Sequence, residues 1–343
     1  YSSAASDVYK RQILQWEESA LKILLVNKYL YRKGGAETYF IKLGEYLKSL
    51  GNEVEYFGMA DERNCVGNRV GAYTENIDFH KKSLKHITYP FKIIYSVNAK
   101  KQIRKVLSDF KPDVVHLNNF NYQLTPSIIY EIKKHNIPIV YTAHDVQLVC
   151  PNHKLKNDYT DGLCRKCDGG KYFECVKNNC VHSSKIRSIL GAVEAWYYKL
   201  RHTYKMIDLT VCPSEFMEKE ISRNDDINGR TVTMYNFIDE IKPLGAECEN
   251  YVLYFGRYSE EKGISNLVKA AKKLSNIPFV FAGKGELENE VNSADNIKNV
   301  GFKTGDELRN IIEKALFTVL PAEWSENCPF SVMESQSLMT VSY

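Results

Sequence analysis

Arg257 and Lys262 lie in Gly256-Arg-Tyr-Ser-Glu-Glu-Lys-Gly263, directly after the apolar run Tyr251–Phe255. Such a run predicts a buried strand, and open α/β sheets bind ligands beyond the carboxyl ends of their strands. Two cations at that exit suit a diphosphate, Arg as a planar fork and Lys as a point charge. Glu260 and Glu261 need no ligand, because acidic residues favour a helix start. The same dipole disfavours Arg257 and Lys262 unless an anion sits between them. Downstream, Glu326-Asn-Cys-Pro-Phe-Ser-Val-Met-Glu334 sets two carboxylates eight residues apart at the start of a predicted helix, close enough to grip one polar ligand. Taken singly, each segment is also explained by solvated surface charge. The combination is the specific signal.

Weaker signals accompany these. Thr142-Ala-His144-Asp145 closes a predicted strand, where His144 could bond a ligand hydroxyl or steady charge. A lone His there is more often satisfied by local backbone. Gly34-Gly35 follows the first strand and opens a helix whose N–H groups attract anions, although the loop lacks Gly-x-Gly-x-x-Gly. Gly283 and Gly285 follow another strand, as a turn or as a close approach to a ligand. A cysteine insert is the second distinctive feature: Cys150, Cys164-x2-Cys167 and Cys175-x4-Cys180, with His153 and His182 nearby. Four of these five thiols suit a structural tetrahedral zinc, with no open position for catalysis. Unliganded buried thiols are the alternative, opposed by polar flanks that would hardly fold unaided. Cys65, Cys212, Cys248 and Cys328 are scattered.

These groups need a scaffold that carries them on loops at strand ends. The 343 residues suit two α/β domains. A 44% hydrophobic and 26% charged composition is that of a globular protein, and a formal charge of +4 does not demand nucleic acid. No stretch approaches the roughly 20 apolar residues that span a bilayer, nor is there a signal-peptide pattern. The expected compartment is therefore the cytoplasm, which argues against disulfides. Strands are predicted at 22–27, 53–58, 113–117, 138–142 and 207–212, then at 251–255, 279–282 and 316–320. Helices are predicted after Gly35, near 125–135, after Pro213-Ser214, near 262–275 and 304–314, and around Glu334. This alternation predicts parallel sheets wrapped on both faces. Residues 226–250 read as a link between domains 21–225 and 251–340, with the insert at 150–182. Residues 1–20 and 341–343 resemble translated adapter sequence and are expected to be foreign.

With these motifs in this order, the chain resembles the retaining sugar-nucleotide glycosyltransferases of family 4 (glycosyl transferases group 1). The resemblance runs from about Leu21 to Thr340 and implies the GT-B fold: two Rossmann-like domains facing a cleft, the second incomplete here because the family continues further. It implies that Arg257 and Lys262 bind the donor diphosphate, Glu326 the donor sugar and Glu334 the ribose, without a catalytic metal. It also implies that Gly34, Gly35 and Gly283 approach the donor and that His144 faces its sugar. Asn327-Cys328-Pro329 departs from the Gly-Phe-Gly common in the family, and Tyr235-Asn236-Phe-Ile-Asp239 resembles its Asn-Gly-Val-Asp. Some members carry a comparable Cys-rich insert. The expected partners are a nucleotide-sugar donor and a glycan or lipid-linked acceptor of cell-surface polysaccharide synthesis. The basic, aromatic stretch from His80 to Lys105 could rest on an anionic inner-membrane surface, or be a solvated helix face with a buried stripe. A sugar-nucleotide epimerase of the same fold would need no acceptor. A zinc module binding nucleic acid would bind in a salt-sensitive way.

Overall fold

Alternate side chains of the first strand, β1 (Lys22–Val26), serve two different cores. Ile23 and Leu25 pack with Leu30, Phe40, Ile41, Val54 and Tyr56, whereas Leu24 and Val26 join Val115, Leu117, Ile139 and Tyr141. A strand with both faces buried needs cover on both sides of its sheet, which only a helix-wrapped parallel sheet provides. The computed structural model describes residues 20–76, 89–156, 162–338, 340 and 342. They form two compact units divided between Met234 and Tyr235.

In the first unit β1 is followed by α1 (Gly35–Ser49), β2 (Glu53–Phe57), α2 (Tyr89–Ile94), α3 (Val97–Phe110), β3 (Val114–Leu117), α4 (Ser127–Lys134) and β4 (Ile139–Thr142). Then come α5 (Phe173–Lys177), α6 (Lys185–Leu200), β5 (Leu209–Cys212), α7 (Glu215–Ile221) and β6 (Thr231–Thr233). The strands pair in parallel in the order β2-β1-β3-β4-β5-β6. Strand order reverses between β1 and β3, and the crevice at such a switch point is where these sheets take ligands. Helix starts follow local chemistry. Ser96 Oγ accepts the Ala99 N–H at 3.1 Å to cap α3, and Ser214 does the same for Met217 and α7.

In the second unit the order is β7 (Val252–Arg257), α8 (Ile264–Lys273), β8 (Phe279–Lys284), α9 (Glu288–Val291), β9 (Ile297–Asn299), α10 (Gly305–Lys314), β10 (Phe317–Thr318) and α11 (Phe330–Ser337). Its parallel sheet runs β10-β7-β8-β9. Alternation again divides the core: Val252, Tyr254 and Phe281 face α8, while Leu253, Phe255 and Ala282 pack with Ile312 and Leu338.

Some expectations differ from what is observed. The segment 226–250, expected as a link, contributes β6 to the first sheet before the chain enters the second unit. Helix α6, 16 residues long, is absent from the periodicity reading because its apolar residues are divided between buried and exposed faces. It buries Ser188, Ala192 and Tyr198 while leaving Ile186 and Leu200 more than 70% exposed. Residues 77–88 of the basic stretch lie outside the described residues, as do 1–19. In the rest of that stretch, Ala99 and Ile103 of α3 are buried in the sheet core, with Val106, Leu107 and Phe110 on the next turns. The buried-stripe expectation therefore describes α3. Ser342, in the segment expected to be foreign, forms a parallel bridge with Thr318 of β10.

Phe281 is fully buried between Tyr254 and Tyr258, with ring centroids at 5.4 and 6.2 Å. Phe281→Ala is expected to destabilise the second unit by about 3–5 kcal/mol, measured as a drop in the urea midpoint. An unchanged midpoint would show that this aromatic layer does not hold the unit together.

Candidate active site

In the second unit the carboxyl end of β7 carries Arg257, exposed and without an ion pair among the described residues. In the next strand Gly283 sits beside Gly256 and Lys284 beside Arg257. Sequence reasoning missed Lys284, a third cation at the same edge. Gly283 has a reason to be small that needs no ligand: a Cβ there would stand 1.9 Å from the Gly256 carbonyl oxygen.

Lys262 ends a short turn, and the following Gly263 has φ +70°. A Cβ on Gly263 would meet the Pro321 carbonyl at 1.8 Å, so a glycine lets this turn press against the 321–326 segment. That packing brings Glu326 to Lys262, Oε1 to Nζ 2.5 Å. Trp324 Nε1–H donates to the same carboxylate oxygen at 2.7 Å, and the Lys262 ammonium lies 5.5 Å from the Trp324 ring centre. Trp324 gave no signal in the sequence, because a single indole has no spacing pattern. Two donors thus hold Glu326 beside one of the two expected diphosphate-binding cations. Glu334 lies half-buried in the second turn of α11. Ahead of that helix Cys328 has φ +53°, and Asn236 Nδ2–H bonds its carbonyl oxygen at 2.9 Å. The Asn of the Asn-Phe-Ile-Asp run therefore shapes the turn that follows Glu326.

The first unit gathers a second polar cluster beyond β1, β3 and β4. Gly34 caps α1 in extended conformation, with Gly35 as its first residue and no side-chain cap. Lys28 donates to Asn121 Oδ1 at 2.9 Å and lies about 5 Å from the Tyr29 and Tyr122 ring centres. Burial, helped by Lys33 and opposed by Glu37 and Asp145, brings its pKa down to about 8. His144 Nε2 meets Asn118 Oδ1 at 2.8 Å, and the ring stands edge-on to Tyr39. With the Asn118 amide so placed, Nε2 carries the hydrogen and Nδ1 is left as an acceptor. Burial lowers the His144 pKa to about 4, against the opposing pull of Asp145. His116, bonded to Thr142 Oγ1 at 2.7 Å, is lowered to about 4 by burial, with His144 adding to the effect.

Asp145 pairs with His153 at 3.2 Å. Burial alone would raise the carboxyl, but His153 and the Gln147 N–H hold it below its ordinary value. Burial alone would lower His153, yet Asp145 outweighs it and raises the imidazole. Glu194 on α6 is pushed by burial to about 7, with His153 opposing. His153, expected beside the cysteines, belongs to this cluster instead, and neither it nor His182 lines the cysteine cavity. Among the described residues no three His, Cys, Asp or Glu side chains stand ready to hold a metal ion, so a preformed zinc quartet is not found.

The signs of these shifts separate the groups. An unfolded His titrates near 6.5, so His116 and His144 make the fold less stable as pH falls from about 6.5 to about 4. Glu194, raised to about 7, acts in the opposite direction between about 7 and 4.5. Global stability therefore mixes opposed contributions, and site-resolved NMR is the clean measurement. The His144 ring is expected to show no titration from pH 8 to 5, while His153 titrates above the ordinary His value. A His144 midpoint near 6.5 would refute the neutral assignment.

The model of Glycosyltransferase Family 4 matches residues 33–241, and that of Glycosyl transferases group 1 matches residues 237–341. An uncharacterized 42.6 kDa protein of the cps region of Klebsiella pneumoniae is 25% identical over 330 residues, covering 89% of this chain and 80% of that protein. The crystal structure of Anabaena HepE in complex with UDP superposes with a TM-score of 0.61 at 15% identity, covering 94% of this chain and 80% of that one. Sucrose-phosphate synthase of Thermosynechococcus elongatus gives a TM-score of 0.63 at 15% identity, with the same coverages. With a parallel α/β sheet in each unit and these matches along its length, the chain belongs to Glycosyltransferase Family 4 and has the GT-B fold.

Proposed function

We propose that this glycosyltransferase transfers a sugar, with retention of anomeric configuration, from a nucleotide-sugar donor to a glycan or lipid-linked glycan of a cell-surface polysaccharide. The observation that carries the proposal is the carboxyl edge of β7, where Arg257 has no ion pair among the described residues and Lys262 is held by Glu326. A diphosphate is the ligand whose charge and fork geometry match that edge. Relatives support the donor class: HepE was solved with UDP and with UDP-glucose. The Klebsiella relative from a cps region supports a polysaccharide product.

In this mechanism the acceptor hydroxyl oxygen attacks the anomeric carbon from the side on which the diphosphate leaves. The new C–O bond forms as the bond from carbon to the phosphate oxygen breaks, and the leaving phosphate takes the hydroxyl proton. Arg257 and Lys262 stabilise negative charge as it builds on the diphosphate. They supply the charge a divalent cation provides in other transferases, and Lys284 adds to it. Glu326 holds donor-sugar hydroxyls and Glu334 the ribose. Neutral His144 offers Nδ1 to a sugar hydroxyl and carries no charge of its own. Gly34 and Gly35 keep the start of α1 open to the donor. The five cysteines have no part in bond making.

Calorimetric titration with a panel of uridine, guanosine and adenosine diphosphate sugars tests this. One of them is expected to bind, and Arg257→Ala is expected to weaken that binding about 10- to 100-fold, as for a lost charge-assisted hydrogen bond. A folded wild-type protein that binds none of them, or an Arg257→Ala variant that binds equally well, would sink the assignment.

A further inference from the structure

We infer that the cavity lined by Cys150, Cys164, Cys167, Cys175 and Cys180 is a structural zinc site, in which four of the five thiols close on one tetrahedral ion. The inference stands apart from the transferase reading and uses a different part of the chain. All five sulfur-bearing residues line a single cavity with room for about one water-sized sphere, ~10 Å3. Cys167 is the hub: it interacts electrostatically with Cys150, Cys180 and Cys164, and Cys175 interacts with it in turn. None of the nine cysteines forms a disulfide, and these five come from three separate stretches of the insert.

The backbone around the cavity is held by bonds of its own. The Cys164 N–H donates to the Leu155 carbonyl oxygen at 2.7 Å, and the Cys180 N–H to the Cys175 carbonyl oxygen at 3.1 Å. After Cys164-x2-Cys167 the chain turns sharply through Gly169 and Gly170, at φ +68° and +91°. The turn is anchored from outside. Arg165 Nε donates to the buried Glu220 at 3.1 Å, Arg223 pairs with Asp168, and Trp196 Nε1–H bonds the Gly170 carbonyl at 2.9 Å.

The thiols do not converge here, and burial favours the protonated form of Cys150, Cys167 and Cys175. The Cys150 S–H donates to Asn152 Oδ1 at 2.9 Å, and no disulfide joins any of the five. Loss of those protons and rotation about the Cα–Cβ bonds bring four sulfurs to the roughly 2.3 Å that zinc requires. The small cavity favours a single ion over an iron–sulfur cluster. Zinc binding would release four protons and form no bond to substrate.

The test is metal analysis of the full chain purified under reducing conditions. One zinc per chain is expected, released by a thiol-modifying reagent and replaced by Co2+ with the charge-transfer and d–d absorption of tetrahedral thiolate ligation. Cys167→Ser is expected to reduce zinc from one per chain to none, while Cys65→Ser, an exposed thiol outside the insert, keeps it. If Cys167→Ser does not fold, wild-type stoichiometry and the cobalt spectrum still decide. A folded, reduced wild type with no zinc and no thiolate–cobalt absorption overturns the inference. So does a disulfide among the five cysteines, or the absorption of an iron–sulfur cluster.

Discussion

A strand buried on both faces can offer chemistry only at its ends. In each unit the central parallel strands, such as β1 and β7, give alternate side chains to two cores, so their interiors are closed to a ligand. Parallel pairing also sends every carboxyl end to the same edge of its sheet. Reactive groups therefore have to collect in the loops beyond those ends, and in both units they do. Lys28, Asn118 and His144 follow β1, β3 and β4, and Arg257 and Lys284 terminate β7 and β8. The positions of the polar groups are thus a consequence of how the apolar ones are buried.

The two clusters handle charge differently. In the second unit Lys262 is matched by Glu326 and the indole N–H of Trp324, while the exposed Arg257 keeps its guanidinium in water. Pre-positioning one cation lowers the ordering cost of gripping an anion, and the other, without an ion pair among the described residues, preserves net positive charge. In the first unit nearly every charge is enclosed and answered by a neighbour: Asp145 by His153, Lys28 by the Asn121 amide. Neutral imidazoles at 116 and 144 complete a surface of hydrogen-bonding groups with little net field, which suits hydroxyl-rich ligands better than phosphates.

Much of this was legible in the sequence because it rests on local patterns. Apolar runs such as Ile23–Val26 and Tyr251–Phe255 marked strands, and Ser214 marked a helix start. The spacing of Arg257, Lys262, Glu326 and Glu334 marked one end of the second sheet. What escaped were features that depend on three dimensions. Lys284 matters only because β8 lies in register with β7, and Trp324 only because Gly263 lets two loops touch. Helix α6 buries Ser188, Ala192 and Tyr198 but exposes Ile186 and Leu200, so its apolar residues do not mark one face. His153 was read with the cysteines on sequence proximity, but the turn after Cys150, with φ +62° at His153, points its ring to Asp145.

The cysteine insert lies in the crossover from β4 to β5, residues 143–208, about three times the length of the crossover from β3 to β4. Loop-closure entropy grows only as the logarithm of length, so the longer excursion costs roughly 1 kcal/mol more. It leaves the β4–β5 register unchanged, because parallel neighbours need a crossover and do not specify its size. Chain closure therefore sets little limit on the length of this connection, although Leu148, Leu155 and Tyr198 within it are buried in the core of the first unit. The distance from Thr142 to Leu209 is set by the sheet, whatever the chain does in between.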